Sequence, residues 1–158
     1  MIFRLATLED IPRLAAMRWE FRAESDEAPV ESQSAFSARY GAVVAEGMTS
    51  GRWIYWLAET GDGELVTSMA VIEIQSVPRP SRLLDKWAYL TDCYTRPAFR
   101  NQDVGTTLLH RVIAWERSRD VELILVWPSS RSLPFYERAG FDRPDDVRIL
   151  VLRDFDVT

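Results

Sequence analysis

The spacing of apolar residues in the first fifty positions predicts one short strand followed by two helices. Residues 3–6 are typical of a strand. Apolar residues then recur about every 3.6 positions, as on one face of a helix that ends near Glu24. These residues are Ile11, Leu14, Met17 and Phe21. A second stripe of the same kind predicts a second helix and consists of Phe36, Tyr40 and Val43.

The middle of the chain changes to residues that favour strands. Residues 53–59 and 65–77 are rich in β-branched and aromatic side chains, and the Gly-Asp-Gly sequence at 61–63 supplies a turn between them. These three segments predict a hairpin. After a proline-containing loop, residues 87–95 predict a further strand.

The last third of the chain returns to alternating patterns. A helix is predicted from about 104 to 118, because its apolar residues are three or four positions apart and share one face. They are Val104, Leu108, Val112 and Trp115. A buried strand at 121–127, a short helix at 130–139 and a last strand at 148–152 follow. We therefore expect an α/β or α+β fold, with residues 1–158 forming one domain on a mixed sheet.

Composition supports a folded protein without a membrane segment. The chain has 158 residues, of which 47% are hydrophobic and 27% charged, as in ordinary globular domains. Its longest apolar runs, at 53–58 and 123–127, are far shorter than the roughly 20 residues of a membrane-spanning helix. No basic and then apolar leader opens the chain, and Cys93 is its single cysteine. We therefore expect a cytoplasmic protein.

Charge and residue counts exclude several classes of function. The net charge of -5 opposes attraction to a phosphate backbone, so we expect no nucleic-acid partner. A single cysteine and a single histidine, His110, do not supply a metal site, and His110 lies off the apolar face of its helix. Cys93 has no histidine nearby in the sequence that would activate it as a nucleophile.

The segment from Tyr94 to Val112 contains the pattern that most favours a chemical function. Here a strand leads into a polar loop with Arg100 and Gly105, and a helix follows directly. The first N–H groups of a helix have no acceptor within the helix, and they lie at the positive end of its dipole. We therefore expect an anion site. The sequence fingerprints of the common ATP and NAD sites are absent.

Two motifs in this part of the chain resemble those of the GNAT superfamily of N-acetyltransferases. The first is the Arg/Gln-x-x-Gly-x-Gly/Ala loop, matched by Arg100 and Gly105, with Asp103 at its first glycine position. The second is a Tyr-Glu-x-x-Gly-Phe ending, matched by Tyr136, Glu137, Gly140 and Phe141. The resemblance covers most of the chain and implies a mixed, mostly antiparallel central sheet flanked by helices.

The resemblance also implies a co-substrate, acetyl-CoA, and a set of residues that bind it. Backbone groups of Cys93, Tyr94 and Thr95 would pair with the pantetheine arm as if it were an added strand. The diphosphate would lie against a loop made of Arg100, Asn101, Gln102, Asp103, Val104, Gly105 and Thr106. Ser129 or Ser130 would cap a short helix and contact CoA, and Tyr136 would give a proton to the departing thiolate. The strand at 121–127 must splay from its neighbour at 87–95 to admit the arm.

The base that deprotonates the amine acceptor stays open at this stage. Glu73, Asp92 and the acidic residues of a loop at 24–31 are all candidates, although each also suits an exposed position. Carboxylates that lined the acceptor pocket would favour a cationic amine. Aromatic residues also suit either the pocket or the core, and they are Trp53, Trp56 and Trp87.

Asp103 is the main departure from the family pattern. Its carboxylate would repel a diphosphate, at roughly 5–6 Å and an effective dielectric of about 20, by about 3 kcal/mol per unit charge, unless Arg96 or Arg100 pairs with it. The leading hypothesis is transfer of an acetyl group from acetyl-CoA to a primary amine of a small molecule or protein by direct attack. The alternative is a noncatalytic GNAT-like binding module that Asp103 has weakened toward CoA. A homodimer is compatible with both.

Overall fold

A five-stranded sheet forms the centre of the chain. The structure, a computed structural model, describes residues 1–24, 28–81, 83, 85–150 and 152. The strands are β1 (Ile2–Leu5), β2 (Trp53–Glu59), β3 (Leu65–Gln75), β4 (Lys86–Thr95) and β5 (Ile124–Val126). They lie side by side in chain order, antiparallel from β1 to β4, whereas β5 runs parallel to β4. The predicted mixed, mostly antiparallel sheet is confirmed.

The described residues also form four α-helices. They are α1 (Ile11–Ala23), α2 (Gln33–Thr49), α3 (Val104–Ser118) and α4 (Leu133–Arg138). The hydroxyl of Ser32 caps α2 by accepting a bond from the N–H of Ala35 at 3.2 Å. Short 3-10 helices precede α1 at Leu8–Asp10 and α3 at Pro97–Phe99. None of the helices in the described ranges is long and apolar enough to span a bilayer.

The chain divides into two compact units, Met1–Val126 and Trp127–Thr158. In the first unit, α1 and α2 cover one face of the sheet, where Leu14, Met17 and Leu57 are almost fully buried. Helix α3 covers the other face, with its Leu108 and Val112 completely buried. The two faces are therefore separate, and α1, α2 and the strands between them can form a site that α3 does not enter.

The second unit contains α4 and a small aromatic cluster. Tyr136 is 6% exposed, and its ring makes edge contacts with Phe135 and Phe141 at centroid distances of 5.0 and 5.5 Å. The predicted last strand at 148–152 is wrong for the residues that the structure describes there, since 148–150 and 152 have no strand. Leu150 is 82% exposed, so its apolar side chain gains no burial from a sheet.

The fifth strand is shorter than the predicted 121–127. Its contact with β4 begins with irregular bonds, from Glu122 N–H to the carbonyl of Lys86 at 3.0 Å and from Ala88 N–H to the carbonyl of Leu123 at 3.0 Å. Regular pairing then extends only from Ile124 to Val126. The apolar run is therefore longer than the strand that forms, because several of its residues belong to the connection from α3.

Helix α3 buries one carboxyl that the sequence pattern did not identify. Glu116 is 1% exposed, and neither carboxyl oxygen has a hydrogen-bond partner among the described residues. Burial raises the pKa of this carboxyl to about 7, and the negative charge of Glu73 adds to the rise. Glu73 itself pairs with Lys86 at 3.1 Å and Arg119 at 2.8 Å. Ionised Glu116 therefore destabilises the folded state.

We predict that Glu116→Gln stabilises the protein at pH 8 by up to about 3 kcal/mol and much less at pH 5. The ordinary pKa of this carboxyl is 4.5, and its folded value is about 7. Between these values only the unfolded chain releases the proton, so the folded parent loses stability as pH rises. Urea unfolding at both pH values measures the difference.

Glu46→Gln is the matched control, since the Glu46 side chain is 80% exposed on α2. It should leave the pH dependence of unfolding unchanged. Identical pH dependence in the parent and the Glu116→Gln variant would contradict the prediction.

Candidate functional site

Strand β4 loses one of its two neighbours halfway along its length. Its parallel pairing with β5 ends at Leu90, opposite Val126, whereas its pairing with β3 continues to Thr95. Among the described residues, no strand pairs with Thr91–Thr95 on the β5 side. The β4–β5 pairing thus ends in the part of β4 where the sequence predicts that the two strands splay apart.

A β-bulge lies in the same part of β4. Ala70 of β3 faces Thr91 and Ser68 faces Tyr94, so two residues, Asp92 and Cys93, lie opposite one residue of β3. Asp92 has a φ of 50°, in the left-handed region that aspartate tolerates better than most residues. A bulge bends its strand and redirects a side chain. Here it coincides with the end of the β4–β5 pairing.

The Asp92 carboxylate is held by three side chains from other elements. Its side chain is 9% exposed, and Arg18 Nη1 of α1 donates to Oδ1 at 3.2 Å. The hydroxyl of Tyr40 lies 3.1 Å from Oδ2, and that of Tyr55 donates to the same oxygen at 3.4 Å. Burial raises the pKa of Asp92, and the charge of Arg18 opposes that rise. Burial and the Asp92 charge raise the pKa of both tyrosines, so their hydroxyls stay protonated.

Asp92 lies in the wall of a cavity of about 490 Å³ between α1, α2 and the central strands. Most of the wall is aromatic or aliphatic and consists of Phe36, Tyr40, Val43, Val44, Trp53, Tyr55, Ile72 and Tyr89. The other lining residues are Thr91, Asp92 and three arginines, Arg18, Arg22 and Arg39. A largely apolar cavity with a few charged groups is the usual form of a small-molecule site.

The other candidate bases from the sequence lie elsewhere. Glu73 pairs with Lys86 and Arg119 and does not line this cavity. In the predicted acidic loop, Glu24 accepts a bond from the hydroxyl of Tyr94 at 2.8 Å, Glu31 pairs with Arg39, and residues 25–27 lie outside the described residues. The expected preference for a cationic amine therefore does not follow, because arginines outnumber carboxylates among the described lining residues.

The polar loop before α3 has the form expected of an anion site. Asn101 and Asp103 have φ values of 59° and 58°, so the backbone turns twice through the left-handed region. The first bond of the helix runs from Thr107 N–H to the carbonyl of Asp103 at 2.8 Å. The N–H groups of Val104, Gly105 and Thr106 therefore have no acceptor in the helix. Gln102 is exposed in the same loop, and its amide donates to the carbonyl of Ala98 at 2.8 Å.

Asp103 is exposed, and its side chain makes no capping bond. The sequence offered Arg96 and Arg100 as its partners, and both instead pair with carboxylates of α1 and its end. Arg96 binds Glu20 at 2.9 Å, and Arg100 binds Glu24 at 2.6 Å. The hypothesis that one of them offsets the Asp103 charge is thus wrong for this structure. Both side chains reach back from the loop toward α1.

The three β4 residues expected along the pantetheine arm lie at the bulge and just beyond it. Cys93 is half-buried, Tyr94 is 6% exposed and Thr95 is half-buried. The carbonyl of Thr95 accepts a bond from Arg100 Nε at 2.9 Å. Burial, and then the bond to Glu24, raise the pKa of Tyr94 to about 12. Thus β4, the loop and the first turn of α3 are consecutive, and the cavity opens beside the bulge.

The remaining predicted residues belong to the second compact unit. The N–H groups of Ser132 and Leu133 donate to the carbonyl of Ser129 at 3.0 Å each, which places Ser129 at the turn that starts α4. Tyr136 lies within α4. Their roles toward CoA stay predictions.

Sequence reasoning missed most of the residues around Asp92. Tyr40 was predicted only as a helix-face residue, and Arg18 and Tyr55 were not singled out. No local pattern joins them, since Arg18 and Asp92 are 74 positions apart. The sequence left open whether three tryptophans line the pocket or belong to the core. Of these, Trp53 lines the cavity, whereas the ring of Trp56 makes an edge contact with that of Trp115 of α3 at a centroid distance of 6.0 Å.

Comparison with known proteins places this arrangement in a family context. Residues 13–141 match the acetyltransferase (GNAT) family. The fold is similar to that of a predicted acetyltransferase with acetyl-CoA from Clostridium acetobutylicum, with a TM-score of 0.80 and 21% identity over 96% of each chain. A GCN5-related N-acetyltransferase from Ralstonia eutropha JMP134 gives 0.77 at 20% identity, over 95% of this chain and 97% of that one.

An acetyltransferase from Trypanosoma brucei has a TM-score of 0.70 at 20% identity, over 96% of this chain and 99% of that one. At such identities these structures show a shared fold. No curated protein matches the sequence. The expected GNAT-like fold is confirmed.

We predict that Arg18→Gln raises the pKa of Asp92 further. The variant removes the positive charge that stabilises the ionised carboxylate, while burial continues to favour the neutral acid. NMR titration of aspartates labelled at the carboxyl carbon measures this shift. Arg52→Gln is the control, because Arg52 is exposed and its ion pair is with exposed Glu46. An Asp92 titration that stays the same in Arg18→Gln would disprove the assigned contact.

Proposed function

This chain belongs to the acetyltransferase (GNAT) family, and on that premise we propose that it moves the acetyl group of acetyl-CoA to a primary amine by direct attack. The observation that carries the proposal is the end of the β4–β5 pairing at Leu90, with the buried Asp92 two residues farther along β4. The family match favours this reading over a noncatalytic binding module.

The residues present fit acetyl-CoA as the acetyl donor. Beyond Leu90 no described strand continues beside β4 on the β5 side, and this part of β4 suits the amide groups of a pantetheine arm, which can add to a sheet as a strand does. The N–H groups of Val104, Gly105 and Thr106 suit a diphosphate, because they are aligned donors without acceptors in α3. Both features follow one another in the chain, as one continuous ligand requires.

Asp92 is the base that this geometry supports best. A primary amine is an ammonium ion at neutral pH and must lose a proton before it attacks a thioester carbonyl. Burial raises the pKa of Asp92, so its carboxylate is a better proton acceptor than an ordinary one. Asp92 would take this proton directly or through a water. The amine nitrogen then bonds to the acetyl carbon, and the carbon–sulfur bond breaks.

The departing thiolate needs a proton. The family motif that Tyr136 matches makes this residue the proposed proton donor. A phenol keeps its proton at neutral pH and gives it up to a stronger base nearby. Arg100 and the loop residues 101–106 carry over likewise as diphosphate ligands. These roles are proposals, as are the single domain over 1–158, a cytoplasmic location and a homodimer.

The proposed function predicts release of free CoA thiol when the purified chain is mixed with acetyl-CoA and a panel of primary amines. A thiol reagent follows the release, and mass spectrometry identifies the acetylated amine. Tyr136→Phe should bind acetyl-CoA as the parent does but turn over about 10² to 10⁴ times more slowly.

Thermal unfolding of the Tyr136→Phe variant, with and without acetyl-CoA, checks that its fold and affinity are intact. An unchanged rate would mean that water or another group protonates the thiolate. No thiol release by the parent, together with no thermal shift on adding acetyl-CoA, would refute the proposed function.

We predict that Asp103→Asn tightens the binding of CoA about tenfold or more. The substitution removes a charge that repels the diphosphate and keeps a residue that tolerates a φ of 58°. Asp103→Gly should act in the same direction, because the Asp103 side chain makes no capping bond that would be lost. Calorimetric titration with CoA gives the affinities.

Asp120→Asn is the matched control, since Asp120 follows α3 and has the same φ of 58°. Its charge is far along the helix from the loop, so CoA affinity should stay close to that of the parent. An unchanged or weaker affinity in Asp103→Asn would show that its carboxylate does not face the diphosphate.

A further inference from the structure

The wall of the cavity beside Asp92 contains a series of aromatic rings that contact one another. The ring of Phe36 contacts those of Trp19 and Tyr40, at centroid distances of 5.5 and 5.6 Å. The guanidinium of Arg39 lies 5.6 Å from the centroid of the same ring. These three neighbours restrict the Phe36 ring, so this aromatic surface is formed before any ligand binds.

The aromatic surface extends to the carboxylate itself. The hydroxyl of Tyr40 lies 3.1 Å from Asp92 Oδ2, and that of Tyr55 lies 3.4 Å from the same oxygen. Both tyrosines also line the cavity. A ligand whose nitrogen lies near Asp92 therefore has aromatic rings close to the carbon atoms that follow that nitrogen.

The charged residues of the wall already have interaction partners within the protein. Arg18 binds Asp92 at 3.2 Å. Arg39 pairs with Glu31, and Arg22 also has an interaction partner. A second charge on the ligand would have to leave water and compete with these contacts, which is unfavourable in a largely apolar cavity. We therefore expect the part of the ligand beyond its nitrogen to be uncharged.

Trp53 forms part of the wall on strand β2. Its ring lines the cavity and lies over Gly47 of α2, where an added Cβ would be 2.5 Å from the ring atom Cγ. No side chain fits between them, so the ring keeps this position only with glycine at 47. The close contact between helix and strand thus fixes where the Trp53 ring lies in the wall.

We infer that the acceptor is an arylalkylamine, in which a short saturated chain joins an aromatic ring to the primary amine, and that it has no second charge. Its nitrogen would lie toward Asp92, and its ring against Phe36 and Tyr40. Trp53 would limit the size of that ring and so determine specificity. Aromatic rings gain from burial of their area and from edge or offset contacts with other rings. The cavity volume of about 490 Å³ is in the range of small-molecule sites. This inference rests on the proposed function and specifies its acceptor.

Four primary amines test this acceptor class. The reference is 2-phenylethylamine; ethylamine lacks the ring, 2-cyclohexylethylamine has a saturated ring, and 1,5-diaminopentane has a second charge in place of the ring. We expect 2-phenylethylamine to bind about 10- to 100-fold more tightly than ethylamine and the diamine, and about 2- to 10-fold more tightly than the cyclohexyl amine. Calorimetry measures binding to the protein with and without CoA, and thiol release from acetyl-CoA measures kcat/KM.

Trp53→Leu should change selectivity as well as affinity. The smaller side chain removes ring contacts and opens space in the wall, so we expect about tenfold weaker binding of 2-phenylethylamine and tighter binding of 2-(1-naphthyl)ethylamine, which has a second ring. A variant that is only less stable would not gain affinity for the larger amine. Gly47→Ala, which displaces the same ring, should lower the affinity for 2-phenylethylamine as well.

Trp87→Leu is the matched control, because Trp87 is a half-buried tryptophan of β4 that does not line the cavity. It should leave the affinities for the phenyl and naphthyl amines unchanged. Thermal unfolding checks that each variant is folded.

Binding and turnover separate this inference from the proposed function. Tight binding of 2-phenylethylamine that depends on Trp53, without thiol release, would support the inference and count against acetyl transfer to such amines. Thiol release with ethylamine or the diamine at a kcat/KM equal to or above that for 2-phenylethylamine would overturn the inference and leave the proposed function standing. Equal or tighter binding of the cyclohexyl amine, no binding of 2-phenylethylamine at millimolar concentration, or unchanged naphthyl-to-phenyl selectivity in Trp53→Leu would also overturn it.

Discussion

The loss of one neighbour along β4 is the constraint on which the site depends. The parallel pairing with β5 ends at Leu90, whereas the pairing with β3 continues to Thr95, and no other described strand lies beside that last part of β4. The bulge at Asp92 and Cys93 lies at the same point, and it brings a carboxylate into the wall of the adjacent cavity. The end of the β4–β5 pairing, the bulge and the cavity wall therefore coincide at one irregularity in the sheet.

Electrostatics distinguishes this cavity from the surface of the protein. The chain is acidic overall, yet its cavity is lined by more arginines than carboxylates among the described residues. The buried Asp92 is retained by one arginine and two tyrosine hydroxyls. Glu116 lies on the opposite face of the sheet and has no such partners among the described residues. Its ionisation therefore lowers the stability of the folded state.

Local patterns were sufficient for most elements and for the polar loop before α3. The helices and the first four strands follow the apolar periodicity, and the loop before α3 follows from its polar residues between a strand and a helix. The same reasoning failed at the C-terminal end, where the apolar residues at 148–150 and 152 form no strand. Apolar residues predict a strand only if another element covers them, and a local sequence does not contain that information. It also did not reveal that Arg96 and Arg100 pair with Glu20 and Glu24.

The sequence by itself determined the fold class, the order of the elements and the short motifs, because these depend on residues within a few positions of each other. Tertiary structure decided which of Glu73, Asp92 and the acidic loop faces the cavity, and which cations lie there with it. Arg18, Tyr40, Tyr55 and Asp92 come from four different elements. Contacts between such distant positions arise from packing of helices onto the sheet, so they cannot be predicted from periodicity along the chain.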